Sequence, residues 1–404
     1  MVSEWLGIGI LIVTPDQYLE GSPLDRAILG GLLAAAATVL ALRWPRSVDF
    51  VRANGALVLF LSYGAASVFW SDFPWIAFKR WTRAAGNAAM VLVVLTDPQP
   101  AEAIRRFFAR VGFLLIPTSV LVIASFPHLG RAYHWWTGQV LYTGVATDKN
   151  GLGGICLVTG LAALWRLVEG LRQTVPLQRL RESLPAAVVV GLVLWLFYMA
   201  DSSTAVLCFL LGSAVILLTT GRNLRAATAH CVVGALAVVA LGIFLIDRPY
   251  EWVVRTLGED STLTGRTHLW SDLMRVELNP WLGTGFETFW LGDRARVLWE
   301  RYPFRPRQAH NGYLETYLTL GWVGVVLLAV VVIAGYRHVI DGFRRKSPAS
   351  PLKLAFLFVA LAYNFTEAAF KVMHPVWIAF LLAAIDVPPK RSESEDLESR
   401  AAEA

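Results

Sequence analysis

The chain has 404 residues, of which 56% are hydrophobic and only 16% charged, with a mean hydropathy of +0.52. A soluble domain carries about 25% charged residues. The deficit and the helix-length apolar runs therefore argue against a soluble protein and for an all-α, polytopic integral membrane protein. The formal charge of +6 reads as cytoplasmic Lys and Arg under the positive-inside bias, with no nucleic acid as partner.

Apolar runs fall near 26–43, 54–70, 84–97, 108–126, 151–168, 185–200, 203–220, 229–246, 312–335, 352–366 and 372–386. Each approaches the roughly 17–25 residues that a span requires, some only with tilt. A shorter run at 5–13 has no small-residue cleavage site behind it and is taken as a first helix, giving about twelve transmembrane helices. Cys156, Cys208 and Cys231 lie inside apolar runs, without metal-ligand spacing or a secretory disulfide pattern, and read as packing residues. No nucleotide-binding loop, soluble domain or internal repeat is visible. Residues 1–386 read as one transmembrane domain, and the polar, aromatic-poor tail at 387–404 as a disordered cytoplasmic segment.

The loops sort by charge. Arg43, Arg46 and Arg52; Arg105, Arg106 and Arg110; Arg172, Arg179 and Arg181; Arg222 and Arg225; and Arg337, Arg344, Arg345 and Lys346 fall in alternate connections, which places that set in the cytoplasm. The tail, with Lys390 and Arg391, joins it. The other set, at 14–25, 71–83, 127–150, 201–203, 247–311 and 367–371, then faces outward, with the largest loop expected to carry amphipathic helices.

Two outward loops break the charge rule. In 71–83, Lys79, Arg80 and Arg83 are cations held on the positive-poor side. They either snorkel to lipid phosphates or receive an anionic headgroup such as a diphosphate, for which Arg offers a bidentate fork. In the sequence DKNGLGG, Lys149 and Asn150 stand directly before an apolar helix. Helix capping by Asp148 or Asn150 accounts for that arrangement, and so does an anion facing Lys149 and the helix N-terminus.

The loop at 247–311 is the other exception. After Gly265-Arg266, the apolar residues Leu269, Trp270, Leu273, Met274 and Leu278 recur at helical spacing, and Asn279-Pro280 ends the pattern. This predicts a surface helix with Arg266 at its start, where the dipole prefers anions. Snorkelling, an ion pair with Glu259 or Asp260, or an anionic ligand would answer that misfit. At the far end of the loop, His310 precedes an apolar helix for which Asn311 reads as N-cap, with Glu315 on the first turn. A helix N-terminus favours neutral imidazole, which accepts a proton near pH 7; the plainer reading is a histidine hydrogen-bonded to the loop. The outward loops hold no Asp-x-Asp pair and no His/Cys cluster, so neither a metal nor another cofactor is called for.

The series KNGLG at 149–153, LTGRTHLW at 263–270, NPWLGTGFETFW at 279–290 and HNGYLETYLTLGWVG at 310–324 resembles the O-antigen ligase and polymerase superfamily, closest to its exopolysaccharide-polymerase branch. The similarity of order and spacing runs over roughly residues 60–386. The resemblance implies transfer of a glycan from an undecaprenyl-diphosphate carrier to an acceptor hydroxyl, at the periplasmic face of the bacterial inner membrane. The acceptor would be a glycan or the lipid A core, without nucleotide or metal, alongside other polysaccharide assembly proteins. Carried over by motif, Arg266 binds the diphosphate and His310 activates the hydroxyl. Lys79, Arg80 and Arg83, with Lys149, Asn150, Asn311 and Glu315, are the substrate-binding candidates. The choice of an assisting arginine among Arg294, Arg296, Arg301, Arg305 and Arg307 stays open. A flippase for lipid-linked sugar is the rival reading; such transporters build their sites from repeated halves, which the sequence does not show.

Overall fold

The computed structural model describes residues 23–133, 138–220, 226–245, 263–302 and 304–388. The expected first helix at 5–13, the tail from 389, the pair Arg222 and Arg225, and the acids Glu259 and Asp260 lie outside the described residues.

The described chain is a helical bundle: α1 (Pro23–Leu42), α2 (Trp44–Ala53), α3 (Gly55–Ala66), α4 (Pro74–Leu95), α5 (Pro100–Ser125), α6 (Lys149–Leu171), α7 (Pro176–Ala200), α8 (Ser203–Thr219), α9 (Ala226–Leu245), α10 (Leu263–Leu273), α11 (Gly292–Arg301), α12 (Gly312–Arg344), α13 (Ser350–Tyr363) and α14 (Pro375–Ala384). Proline opens α4, α5, α7 and α14, where the missing N–H has no intrahelical acceptor to lose and φ is already helical. By length and composition, five helices among the described residues can cross a membrane, or six if the bent pair α2 and α3 counts as one; three shorter apolar helices join them.

α6 forms the middle of the bundle. Leu152, Cys156, Leu157, Leu161 and Ala162 on it have no solvent exposure, and α5, α7, α8, α13 and α14 pack around it. Apolar residues cover it on all sides, as expected of an interior helix. Lipid is as apolar as leucine, so close packing, more than burial from water, holds such a helix in a membrane. Cys156 and Cys208 are buried free thiols that fill this core, while Cys231 is exposed.

Several sequence expectations need correcting. Lys79, Arg80 and Arg83 are not in a loop: Pro74 starts α4 ten residues before the apolar run, so all three ride on its first turns. The arginine-bearing stretch after α1 is a second helix, α2, set at 87° to the helix that follows. Asn54 fixes that corner, donating from Nδ2 to Phe50 O and accepting from Asp386 N at 2.7 Å. The expected all-α class meets one exception, a small antiparallel hairpin pairing Arg131–Tyr133 with Val140–Tyr142.

α12 is also not the continuous helix the sequence suggests. It breaks at Gly321 (φ 63, ψ −168), and the segment 280–285 lies in the break. Leu318 O and Thr319 O accept from Thr284 N at 3.1 Å and Gly285 N at 2.9 Å, while Trp322 N and Val323 N donate to Pro280 O at 2.8 Å and Trp281 O at 3.3 Å. Four backbone groups of α12 at the break are thus bonded again, as irregular backbone near a membrane requires. Residues 322–344 extend roughly 34 Å as a helix, enough for a hydrocarbon core of about 30 Å. Residues 312–320 form a separate half-helix, and His310 stands immediately before it.

Candidate functional site

The loop between α13 and α14 organises one end of the bundle. Asn364 caps the end of α13 and folds the chain back, its Oδ1 accepting from Ala369 N and Phe370 N at 2.8 Å each. Its carbonyl takes the N–H of Gly312 at 2.8 Å, which ties this turn to the start of α12. Thr366 Oγ1 bonds Thr204 Oγ1 of α8 at 3.0 Å. The turn presents Glu367 inward, its side chain only 8% exposed.

Three predicted residues meet on that carboxylate. Oε1 accepts from Arg266 Nη2 at 3.2 Å and from Asn150 Nδ2 at 3.1 Å, and Oε2 lies 3.2 Å from His310 Nδ1. Arg266 Nη1 also donates to Thr366 O. Arg266 therefore pairs with Glu367. Burial opposes ionisation of Glu367, but the hydrogen bond from His310 and the charge of the Arg266 guanidinium outweigh it, leaving its pKa below the usual value. Nearby, Nδ1 of His374 accepts the N–H of Val376 at 3.2 Å and caps α14.

Arg266 and His310 are braced against each other from behind. Leu269 and Leu273 of α10 pack with Phe289, Trp290, Leu298, Ala309 and Leu318, and Trp270 Nε1 donates to Ala309 O at 2.6 Å. The helix stops at Leu273, short of the Asn279 that the sequence suggests; Met274 is 55% exposed, while Val276 and Leu278 beyond the helix still pack on the same cluster. Asp272 holds this end by accepting from Tyr302 Oη at 2.6 Å and pairing with Arg301 at 3.0 Å. His310 itself adopts a left-handed backbone, φ 50, at a cost of about 1 kcal/mol that the surrounding bonds offset.

Glu315 and Asn311 have mainly bracing contacts. Glu315 Oε1 accepts from Trp290 Nε1 at 2.7 Å, and its Oε2 from Ala309 N at 2.8 Å. Asn311 caps α12 through Tyr313 N and Leu314 N, both at 3.0 Å, and donates to Phe365 O at 3.2 Å. Asp148, not Asn150, caps α6, accepting from Gly151 N at 2.8 Å. Asn150 is thereby left to reach Glu367, while Lys149 Nζ donates to Asp201 O at 3.1 Å.

The basic turns of α4 reach the same end by another route. Arg80 is buried and donates to Glu287 O; Glu287 Oε1 accepts from Val372 N at 3.2 Å, in the Glu367 turn. Lys79 Nζ lies 5.2 Å over the Trp75 ring, and Arg83 is half-buried one turn on. Among the five open arginines, Arg294 alone is drawn inward to this region. Its Nη1 pairs with Asp72 at 2.7 Å and its guanidinium lies over Phe289. Arg296 and Arg301 pair with Asp293 and Asp272, and Arg305 and Arg307 are exposed. No group of three or more His, Cys, Asp or Glu side chains among the described residues is arranged to hold a metal.

Glu367, the residue that joins the others, went unnoticed in the sequence, as did Asp72 and Glu287. Its signal was a lone acid in a short connection between two apolar runs, where an ionisable group needs a named partner.

Residues 187–329 match the family model of O-antigen ligases. The matched stretch contains Arg266 and His310 and ends before Glu367. The chain is also 23% identical over 296 residues to the exopolysaccharide production protein ExoQ of Rhizobium meliloti, a similarity covering 69% of this chain and 63% of that protein. Both findings support a likeness to the O-antigen ligase and polymerase superfamily.

Proposed function

We propose that this chain transfers a glycan from an undecaprenyl-diphosphate carrier to a sugar hydroxyl at the periplasmic face of the inner membrane, as a polysaccharide polymerase or ligase. One observation carries the reading: Arg266 and His310, far apart in sequence, are brought onto the two oxygens of one buried carboxylate. A clamp for the leaving group and a base for the nucleophile thus stand side by side.

A lipid diphosphate leaves readily once its charge is met, so fixed cations supply the main stabilisation of the transition state. Arg266 is the clamp, and the cations of α4, with Arg294, surround the approach of the carrier. His310 takes the proton of the attacking hydroxyl, a role that contributes on the order of 10²–10⁴ in rate. Attack in line with the departing diphosphate inverts the anomeric centre. The polyprenyl tail stays in the bilayer, which is the reason for a site at the end of a membrane bundle.

The test uses the purified full-length protein in lipid nanodiscs with a lipid-linked glycan donor. His310→Ala is expected to abolish transfer while the protein remains folded, and product at the wild-type rate would reject His310 as the base. In cells, loss of function is expected to leave lipid-linked glycan on the periplasmic face. Accumulation on the cytoplasmic face would point instead to a flippase.

A further inference from the structure

Glu367 touches neither donor nor acceptor in the reaction proposed above, yet both groups assigned to that reaction rest on it. Among the described residues, the ring of His310 is bonded by Glu367 Oε2 at 3.2 Å and approached by Gln308 Nε2 at 3.4 Å, both at Nδ1. An ionised carboxylate only accepts, so its bond to Nδ1 requires the proton there and leaves the lone pair on Nε2. Gln308 serves the same proton when its amide oxygen is turned inward. We propose that Glu367 is the positioning residue of this site. It fixes the His310 tautomer that offers Nε2 to the acceptor hydroxyl, and it stabilises the imidazolium formed when that proton arrives.

This role rests on the transfer reaction proposed above. The acceptor O–H bond breaks and its proton goes to Nε2. The oxygen's electron pair forms the bond to the anomeric carbon, and the bond from that carbon to the diphosphate oxygen breaks, its pair leaving on the diphosphate. New positive charge then faces Glu367, and new negative charge faces Arg266. Because Arg266 and His310 share Glu367, a diphosphate that takes over the guanidinium removes the cation that competes with the imidazole for the carboxylate. The base strengthens as the donor is seated.

The other charged groups act at one remove. Glu315 holds Ala309 N beside His310, Lys371 and Glu287 lie within coulombic reach of Glu315, and Lys371 and Asp148 lie within reach of His374. Asn150 fixes Glu367 Oε1 without charge.

In the nanodisc assay, Glu367→Gln is expected to lower kcat by about 10²-fold or more. It should also move the acidic limb of the kcat–pH profile to lower pH, because the imidazolium loses its counter-charge. Glu367→Asp is expected to restore part of the rate. In wild-type protein carrying ¹⁵N-histidine, with the His310 signals identified by their loss in His310→Gln, the neutral ring is expected to hold its proton on Nδ1. A wild-type rate and pH profile in Glu367→Gln, or an Nε2–H tautomer in the wild-type protein, would overturn the role. If Glu367→Gln does not fold, the tautomer measurement decides alone. His310→Ala separates the two claims: full turnover there removes the reaction assignment, whereas an inactive His310→Ala beside a normal Glu367→Gln removes only the role of Glu367.

Discussion

Arg266 uses two nitrogens on two different acceptors, the Thr366 carbonyl and the Glu367 carboxylate. That is a use of the guanidinium fork which an ammonium on a flexible stem does not reproduce. Arg266→Lys keeps the charge, so the protein should fold, while donor binding and transfer fall. A decrease in kcat on the order of 10²-fold is expected, and wild-type donor affinity in this variant would argue against a bidentate clamp. At this scale the sequence was legible where a residue violated a local rule. Arg266 sat at the wrong end of a helix dipole, and His310 stood at a helix start. Glu367 offered only the signal of a lone acid between two apolar runs, and the partners that give it meaning lie across the bundle.

The break in α12 shows what separates an element read from sequence from one read in space. The apolar run from 312 onward announces a helix, and the NPWLGTG stretch announces a turn. Nothing in either string says that the turn enters the helix and exchanges backbone hydrogen bonds with it. Gly321 makes this possible: a Cβ there would stand 2.2 Å from Trp281 O, at a positive φ that side chains rarely adopt. Gly283 answers from the other strand of the contact, where a Cβ would meet Thr319 C at 2.5 Å. Gly321→Ala should therefore destabilise the protein by about 3 kcal/mol, the sum of left-handed strain and an unrelieved backbone clash. It should also lower transfer, because the half-helix that carries His310 loses its anchor. Gly30→Ala is the control, since nothing lies within 4 Å of a Cβ at that position. Equal thermal midpoints for the Gly321 and Gly30 variants would mean that the inserted turn does not hold α12. The misreading of 71–83 as a loop has a related cause. Charged residues interrupt hydropathy, but they do not interrupt a helix that Pro74 has started, and one of these cations, Arg80, donates to the Glu287 carbonyl.

Across the whole molecule the contacts fall into two polar ends separated by the apolar core. At one end Arg105 pairs with Glu182, Arg172 donates to Thr220 O, Trp165 Nε1 donates to Pro348 O and Arg345 pairs with Asp386 at 3.1 Å. At the other end stand Glu367, Arg266, His310, Asn150 and the hydrogen bond between Lys149 and Asp201. Of the arginines sorted by sequence alternation, Arg105, Arg172 and Arg345 thus lie at one end and the candidate site at the other. This division was legible in advance because the positive-inside bias acts on every loop of a membrane chain, independently of how the helices later pack. The same bias predicts the orientation. With the three native cysteines replaced by serine, a cysteine in place of exposed Gln139, in the hairpin at the site end, should react with a membrane-impermeant maleimide in spheroplasts. A cysteine in place of exposed Arg344, at the arginine end, should react only after the membrane is opened. The opposite pattern would put Arg266 and His310 in the cytoplasm, and the reaction would then have to draw on a donor that has not yet crossed the membrane.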